Sequence, residues 1–423
     1  MINSLKIDEI YETVITSLEN EGCGVSKING IVVFIPKALV GEKVRLRITE
    51  IKKNFARGKI VEILEKSNNR IKSKCPYYDE CGGCNLRHQT DTENLKFKKE
   101  KIENALKRIG KIDAKVEDVI PSFKNDNYRN KLSLKVEDDK IGFYGEGTYQ
   151  LIDIDYCLLA HEEINKALKV IRIYIKEFKN KIKNVTIKYG NAMNELLIDI
   201  YSLSEEDVNI VNYLTSNIDN LETVIFNDKV LLGTGYIKEI SNGLMFNCSS
   251  KSFFQVNGMQ AERMYDTAIK LAKLKKDDVV LDLYCGTGTI GMILSCHVKK
   301  VIGVEIVEDA IKDARQNLIV NDISNVDFIC GDATKVISKI KEKIDVIFVD
   351  PPRSGIDRKA IAIIKKIMPK KIIYISCNPV TMARDLSYLN DLYNINNVVP
   401  FDMFPNTAHV ECVSVLHRKK IEK

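Results

Sequence analysis

Two residues near the end of the chain have the types that a covalent reaction needs. Cys377 follows the apolar run Lys371 to Ser376, which reads as a buried strand, so its thiol lies at a sheet edge, either as a nucleophile or as inert packing. Glu411, in His409-Val410-Glu411-Cys412, is an acid on an otherwise apolar strand and needs a partner or a role. It is either an ion-paired strand-end carboxylate or the general base to Cys377. Upstream, Asp282-Leu283-Tyr284-Cys285-Gly286-Thr287-Gly288-Thr289 leads from a strand into a helix, and its glycines let a nucleotide-like ligand approach the backbone. The next strand ends in Glu305, placed to accept hydrogen bonds from ribose hydroxyls. A later one ends in Asp350-Pro351-Pro352-Arg353, whose prolines restrict the backbone after the acid and hold its carboxylate in the cleft. Gly286 to Gly291 also satisfies the G-x-G-x-x-G pattern of dinucleotide sites.

A second constellation is sulfur. Cys75, Cys81 and Cys84 form C-x₅-C-x₂-C, with Cys157 as a distant fourth candidate. Four thiolates hold a zinc ion or a [4Fe–4S] cluster, and the residues alone leave both open beside unpaired structural cysteines. The five histidines are scattered, so any metal binds chiefly through sulfur.

The elements that must position these groups fall into three regions within 423 residues. Residues 1–66 alternate short β-rich runs with Gly and Lys turns, as in a small OB-like β-barrel. Arg45, Arg47, Lys52, Lys53, Arg57 and Lys59 surround Phe55 there, suiting a phosphate backbone with a stacked base or a merely solvated face. Residues 67–250 read as an α+β central domain holding the cysteine site, with helices over Asn94 to Ile109 and Glu162 to Phe178. From residue 251 to 423, apolar strands alternate with amphipathic helices, predicting a doubly wound, mostly parallel α/β sheet. A net charge of +6 with 45% hydrophobic residues excludes disorder, collagen and coiled coil. The longest apolar runs fall short of a membrane span, the first nine residues lack a signal-type core, and eleven cysteines without one fit a reducing compartment. A soluble, cytoplasmic protein is expected.

The acid preceding the glycine loop distinguishes it from an NAD site: D-x-x-x-G-x-G resembles the S-adenosylmethionine loop of class I methyltransferases. Together DLYCGTGT, DPPRSG, SCNP, the HVE segment, Ser252-Phe253-Phe254-Gln255-Val256-Asn257 and Tyr128-Arg129-Asn130-Lys131 resemble the RNA 5-methyluridine methyltransferase family. The branch acting on 23S ribosomal RNA also carries an N-terminal TRAM barrel and a four-cysteine iron–sulfur site, so the resemblance covers nearly the whole chain. It implies Cys377 as the nucleophile adding to carbon 6 of uracil, Glu411 as the base removing the carbon 5 proton, and Gln255, Tyr284, Glu305 and Asp350 as S-adenosylmethionine contacts, Asp350 being equally suited to the uracil edge. It favours [4Fe–4S] on Cys75, Cys81, Cys84 and Cys157, a monomer, and 23S ribosomal RNA before transfer RNA as partner. Phe254 is expected either to stack on a flipped base or to sit in the core. Cys285 and Cys412 match no functional position and read as packing. Asn406 and Thr148 depart from the family's usual histidine and serine.

Overall fold

The computed structural model describes residues 5–178, 181–204 and 208–420. Its first unit is a six-stranded sheet, in the order Ile10–Val14, Lys43–Ile51, Phe55–Glu65, Ile31–Ile35, Gly24–Ile28, Ser17–Leu18. Strict alternation explains it: on Lys43–Ile51 the side chains of Val44, Leu46 and Ile48 turn inward while Arg45 and Arg47 turn out.

The central unit is a seven-stranded sheet running Leu151–Asp153, Lys140–Tyr144, Lys131–Glu137, Ile182–Gly190, Glu195–Ser202, Leu221–Phe226, Lys229–Leu232. The helix Glu162–Phe178 covers it, burying Ile164, Ala167, Leu168, Ile171 and Ile175 at helical spacing. A separate hairpin, Tyr236–Ser241 with Leu244–Ser249, follows. Its Phe246 joins the core of the C-terminal unit, and Asn317 and Asn321 there hold the backbone amides of Asn247 and Met245.

The C-terminal unit is an eight-stranded sheet in the order Val326–Cys330, Lys300–Glu305, Val279–Leu283, Val346–Val349, Lys371–Ser376, Glu411–Arg418, Tyr393–Phe401, Lys115–Val116. The first five strands are parallel, whereas Glu411–Arg418 inserts antiparallel between Lys371–Ser376 and Tyr393–Phe401. That reversal makes the sheet mixed and brings the start of the last strand beside the end of Lys371–Ser376.

The edge strand Lys115–Val116 comes from within the span 67–250, as does the helix Asp91–Ala105 with its π-helical extension Leu106–Gly110. Ile102, Ala105, Leu106, Ile112 and Val116 share a core with Leu281, Ile347 and Ile372. This part of the expected central domain therefore packs on the C-terminal sheet, which covers its apolar stripe. Among the described residues no helix is long and apolar enough to cross a membrane.

Candidate active site and cysteine cavity

The reversed strand sets the geometry of the two covalent-chemistry candidates. Ser376 pairs with Cys412, so Cys377 and Glu411, one step further on each strand, meet at the carboxyl edge of the sheet. Glu411 is 3% exposed; burial first, then the charge of Asp350, raises its pKa well above the usual range, with Arg353 opposing. Burial, then Glu411 and Asp350, push the Cys377 thiol up to about 11, and Arg353 again opposes. Burial takes Asp350 to about 7. Burial thus shifts both carboxyl groups toward the neutral range and makes the thiol harder to ionise, as at sites that transfer protons. Arg353, exposed and beside His409 at 3.4 Å, is the cation that acts on both Cys377 and Glu411. Its carbonyl accepts from Asn378 Nδ2 at 3.0 Å and from Thr381 Oγ1 at 3.2 Å, which ties the Asp350-Pro-Pro-Arg turn to the loop carrying Cys377.

The glycine loop lies along the same edge. Gly286, at φ +54°, faces open space, whereas a Cβ at Gly288 would come within 2.2 Å of Phe328 Cζ. Ligand approach thus falls to Gly286, and Gly288 serves helix-to-strand packing. Tyr284 adopts a left-handed φ of +61° and its half-buried ring packs on the sheet's second core. Glu305 accepts from the amides of Gly286 at 3.2 Å, Ile306 at 2.8 Å and Val307 at 3.0 Å, so its carboxylate is fixed beside the loop. Gln255 is buried and hydrogen-bonds Tyr265, a buried tyrosine near Asp350, Glu411 and Asp282.

Asp282 is 1% exposed with neither carboxyl oxygen hydrogen-bonded, only the Gly291 amide lying close, and burial with Asp350 pushes it to about 8. An orphaned buried acid flanked by acids suits a ligand bearing positive charge. S-adenosylmethionine, with a sulfonium and an ammonium, fits Asp282, Glu305, Asp350, Tyr284 and Gln255 in that respect. The sequence marks Asp282 by its place before the loop, but its missing partner appears only in three dimensions. Tyr265 carries no sequence signal.

Phe254 is half-buried, packs on the core and lies 5.7 Å from the Phe246 ring, as the core-aromatic reading has it. Its neighbour Phe253 is 68% exposed, and Thr287 Oγ1 of the glycine loop donates to its carbonyl at 3.2 Å. The free aromatic face beside the cleft is therefore Phe253. Adjacent residues in an extended segment face opposite ways, so the Phe253-Phe254 pair announces one such face without saying which.

Residues 402–409, which lead into Glu411, are held from outside the sheet. Lys98, fully buried, donates to Asp402 Oδ1 at 2.5 Å and to the Phe404 carbonyl at 3.0 Å, and Lys101 donates to the Ala408 carbonyl at 2.9 Å. Asn85, next to Cys84, accepts from the Ala408 amide at 2.8 Å, and the Leu86 amide donates to the Asn406 carbonyl at 3.1 Å. The cysteine loop and the Glu411 loop are thus hydrogen-bonded to each other.

Cys75, Cys81, Cys84 and Cys157 all line one cavity of about 150 Å³, with Arg87 and Arg129 in its wall. Both arginines have a buried Nε with no hydrogen-bond partner. Among the described residues no group of three or more His, Cys, Asp or Glu is arranged to hold a metal ion. Four sulfurs around a space of that size, with two unmet guanidinium donors, fit an anionic group larger than one ion. Cys285 and Cys412 are buried in the sheet cores, in keeping with packing.

In the N-terminal sheet, Arg45 bonds Glu62 at 2.6 Å and Glu12 at 3.0 Å, and Lys52 and Arg57 both reach Glu50. RNA phosphates would have to displace these carboxylates. Phe55 stacks edge-on with Phe34 at 5.5 Å. Lys131 is half-buried, and burial lowers its pKa.

The family model for tRNA (Uracil-5-)-methyltransferase matches residues 90–419, and that for the TRAM domain matches residues 7–61. An uncharacterized RNA methyltransferase of Caldanaerobacter subterraneus subsp. tengcongensis is 39% identical, over 99% of this chain and 100% of its own. One of Clostridium acetobutylicum is 37% identical over 98% of each. Among solved structures, the Pyrococcus abyssi tRNA (uracil-54, C5)-methyltransferase in complex with S-adenosyl-L-homocysteine is 27% identical with a TM-score of 0.79, over 96% of this chain and 99% of that one.

Proposed function

The chain belongs to the tRNA (uracil-5-)-methyltransferase family, S-adenosylmethionine-dependent enzymes that methylate uracil in RNA at carbon 5, and from that premise we propose that Cys377 and Glu411 perform the covalent steps on a uridine of 23S ribosomal RNA. The observation that carries this reading is their meeting across two antiparallel strands at one end of the sheet, where burial raises the pKa of both. Carbon 5 of uracil is a poor nucleophile. The Cys377 thiolate adds to carbon 6, which moves electron density to carbon 5 as an enolate. Bound S-adenosylmethionine supplies the methyl group that carbon 5 takes. Glu411 then removes the carbon 5 proton, the double bond re-forms, and the carbon 6–sulfur bond breaks to return the thiolate. Arg353 favours the charged forms of both side chains. Gln255, Tyr284, Glu305, Asp350 and Asp282 bind the cofactor, and Phe253 stacks on the extruded base.

Cys75, Cys81, Cys84 and Cys157 hold a [4Fe–4S] cluster in this proposal. The shared cavity and the orphaned Arg87 and Arg129 donors support a cluster over zinc, since a zinc ion draws its sulfurs to about 2.3 Å from one centre. Through Asn85 and Leu86 it braces the Glu411 loop. Anaerobically purified protein should contain iron and acid-labile sulfide in equal amounts, and zinc in their place would remove the cluster.

A second reading, the same reaction on transfer RNA, is favoured by the likeness to the P. abyssi enzyme, whose structure is that of a tRNA (uracil-54, C5)-methyltransferase. The deciding experiment gives the protein S-adenosylmethionine with unmodified ribosomal and transfer RNA, then separates them and measures 5-methyluridine by mass spectrometry. Product confined to the large ribosomal RNA is expected, product in transfer RNA selects the second reading, and product in neither refutes both.

A further inference from the structure

A cavity of about 340 Å³, more than twice the size of the cysteine cavity, opens beside the active-site segment and has no part in the reaction described above. One wall is flat: His161 and Tyr189 stack with ring centroids 4.2 Å apart and planes 20° from parallel. At its base is Glu239, 7% exposed, whose carboxylate accepts from Asn130 Nδ2 at 3.2 Å and from the Asn191 amide. Lys124 and Phe123 are exposed at the rim, with the Arg263 guanidinium 4.5 Å above the Phe123 ring. The cavity therefore offers an aromatic wall, a buried acceptor and a cation at the mouth, which together match a nucleotide: base, hydrogen-bonding edge and phosphate.

Its position ties it to the substrate path. Asn130 donates through its amide to the Val256 carbonyl at 3.0 Å and through Nδ2 to the Gln255 carbonyl at 3.3 Å, and Asn257 lines the cavity while donating to the Met403 carbonyl at 3.1 Å. The strip carrying Phe253 and Gln255 is thus hydrogen-bonded to the cavity wall through Asn130. Asn130 belongs to the Tyr128-Arg129-Asn130-Lys131 segment, to which the covalent chemistry assigns no work.

We infer that this cavity binds a second extruded base of the substrate RNA, a guanine near the target uridine, and that Glu239 reads it. A carboxylate accepts both donors, N1–H and the 2-amino group, on the Watson–Crick edge of guanine, whereas adenine presents one donor and one acceptor there. The inference rests on RNA being the substrate, and it adds a specificity-determining site to that reading.

The test uses the full-length protein and a short RNA library, randomised around one uridine, scored twice: by sequencing what binds and by sequencing what is methylated. Wild type should enrich guanine at one fixed offset from the methylated uridine. Glu239→Gln, which offers one donor and one acceptor, should lose that preference by about tenfold or more and shift it toward adenine. Ala192→Phe, which fills the cavity without removing a polar group, should raise KM for RNA while S-adenosylhomocysteine affinity stays at the wild-type value, excluding misfolding. Unchanged base preference in both variants overturns the inference. Guanine-selective binding that Glu239→Gln abolishes, without methylation of any library member, would support the cavity and sink the proposed reaction.

Discussion

Replacing Glu411 with glutamine should let Cys377 add to uracil and stop it from leaving, and the pH dependence of the addition tests the electrostatics of the cleft. Burial, Glu411 and Asp350 together take the Cys377 thiol from 9.0 to about 11. At pH 7 the thiolate is then about one part in ten thousand instead of one in a hundred, a hundredfold loss. Burial is the largest of the three causes and glutamine leaves it in place, so the Glu411 charge accounts for a smaller share than burial does. The sign depends on pH. Where Glu411 is protonated it exerts no repulsion, and wild type and variant should add at the same rate. As pH rises and the carboxylate ionises, the variant should pull ahead. The assay is the rate at which a denaturation-resistant protein–RNA species forms, with 5-fluorouridine RNA for wild type and ordinary uridine RNA for the variant, from about pH 6 to 9. Wild type should keep rising to pH 9, by up to about tenfold per pH unit, without a plateau. Levelling off by pH 9 would mean a thiol at or below its ordinary value and refute the reading, as would rapid adduct-free turnover by Glu411→Gln.

Other perturbations separate the roles of neighbouring residues. Burial, then Asp350, push Asp282 up to about 8 from the 3.8 of a free carboxyl, so the folded state binds the extra proton and stability falls as pH rises between those values. Asp282→Asn should therefore raise the melting temperature by about 2–5 °C at pH 8 and little at pH 4, while weakening S-adenosylmethionine binding by calorimetry; an unchanged melting temperature at pH 8 counts against a buried, unpaired carboxylate. Phe253→Ala should cut RNA turnover with cofactor affinity intact, whereas Phe254→Ala should cost about 3–5 kcal/mol in urea unfolding, and the reverse pattern would exchange the two assignments. Lys98→Met strands Asp402 in the core and should cost about 3–5 kcal/mol by the same measurement. RNA affinity should fall steeply between about 50 and 200 mM salt if the barrel cations exchange Glu12, Glu50 and Glu62 for phosphates, and a flat response would remove the barrel from RNA binding.

Strand-end chemistry is legible in this sequence because alternating apolar strands and amphipathic helices place the ends of parallel strands in one cleft, and Glu305, Asp350 and Cys377 each follow an apolar run. Glu411 is a different case. Its proximity to Cys377 depends on the last strand reversing between two others, a matter of long-range pairing that no local pattern encodes. The helix Asp91–Ala105 is locally legible, but the sheet it covers is not, since an apolar stripe says only that something must be covered. The basic stripe of the barrel is likewise visible in the sequence. That Arg45, Lys52 and Arg57 already face carboxylates follows from the cross-strand register.

The distribution of charge explains why so costly a cleft persists. Asp282, Asp350 and Glu411 are all raised by burial, Asp350 adds to the shift of the other two, and Arg353 is the cation that acts on Glu411. Two other buried charges are neutralised directly, Lys98 on Asp402 and Arg70 on Glu42 at 2.5 Å each. Among the described residues, the acids along this sheet edge lack such a direct partner. Unpaired buried acids destabilise the fold unless a positively charged ligand binds it, and such a ligand then stabilises the folded state in proportion to its concentration over its dissociation constant. A sulfonium cofactor meets that condition only while it carries the methyl group; its neutral product lacks the charge that the acids attract. The arrangement thus discriminates cofactor from product by electrostatics, and Asp282→Asn should narrow the affinity ratio between S-adenosylmethionine and S-adenosylhomocysteine.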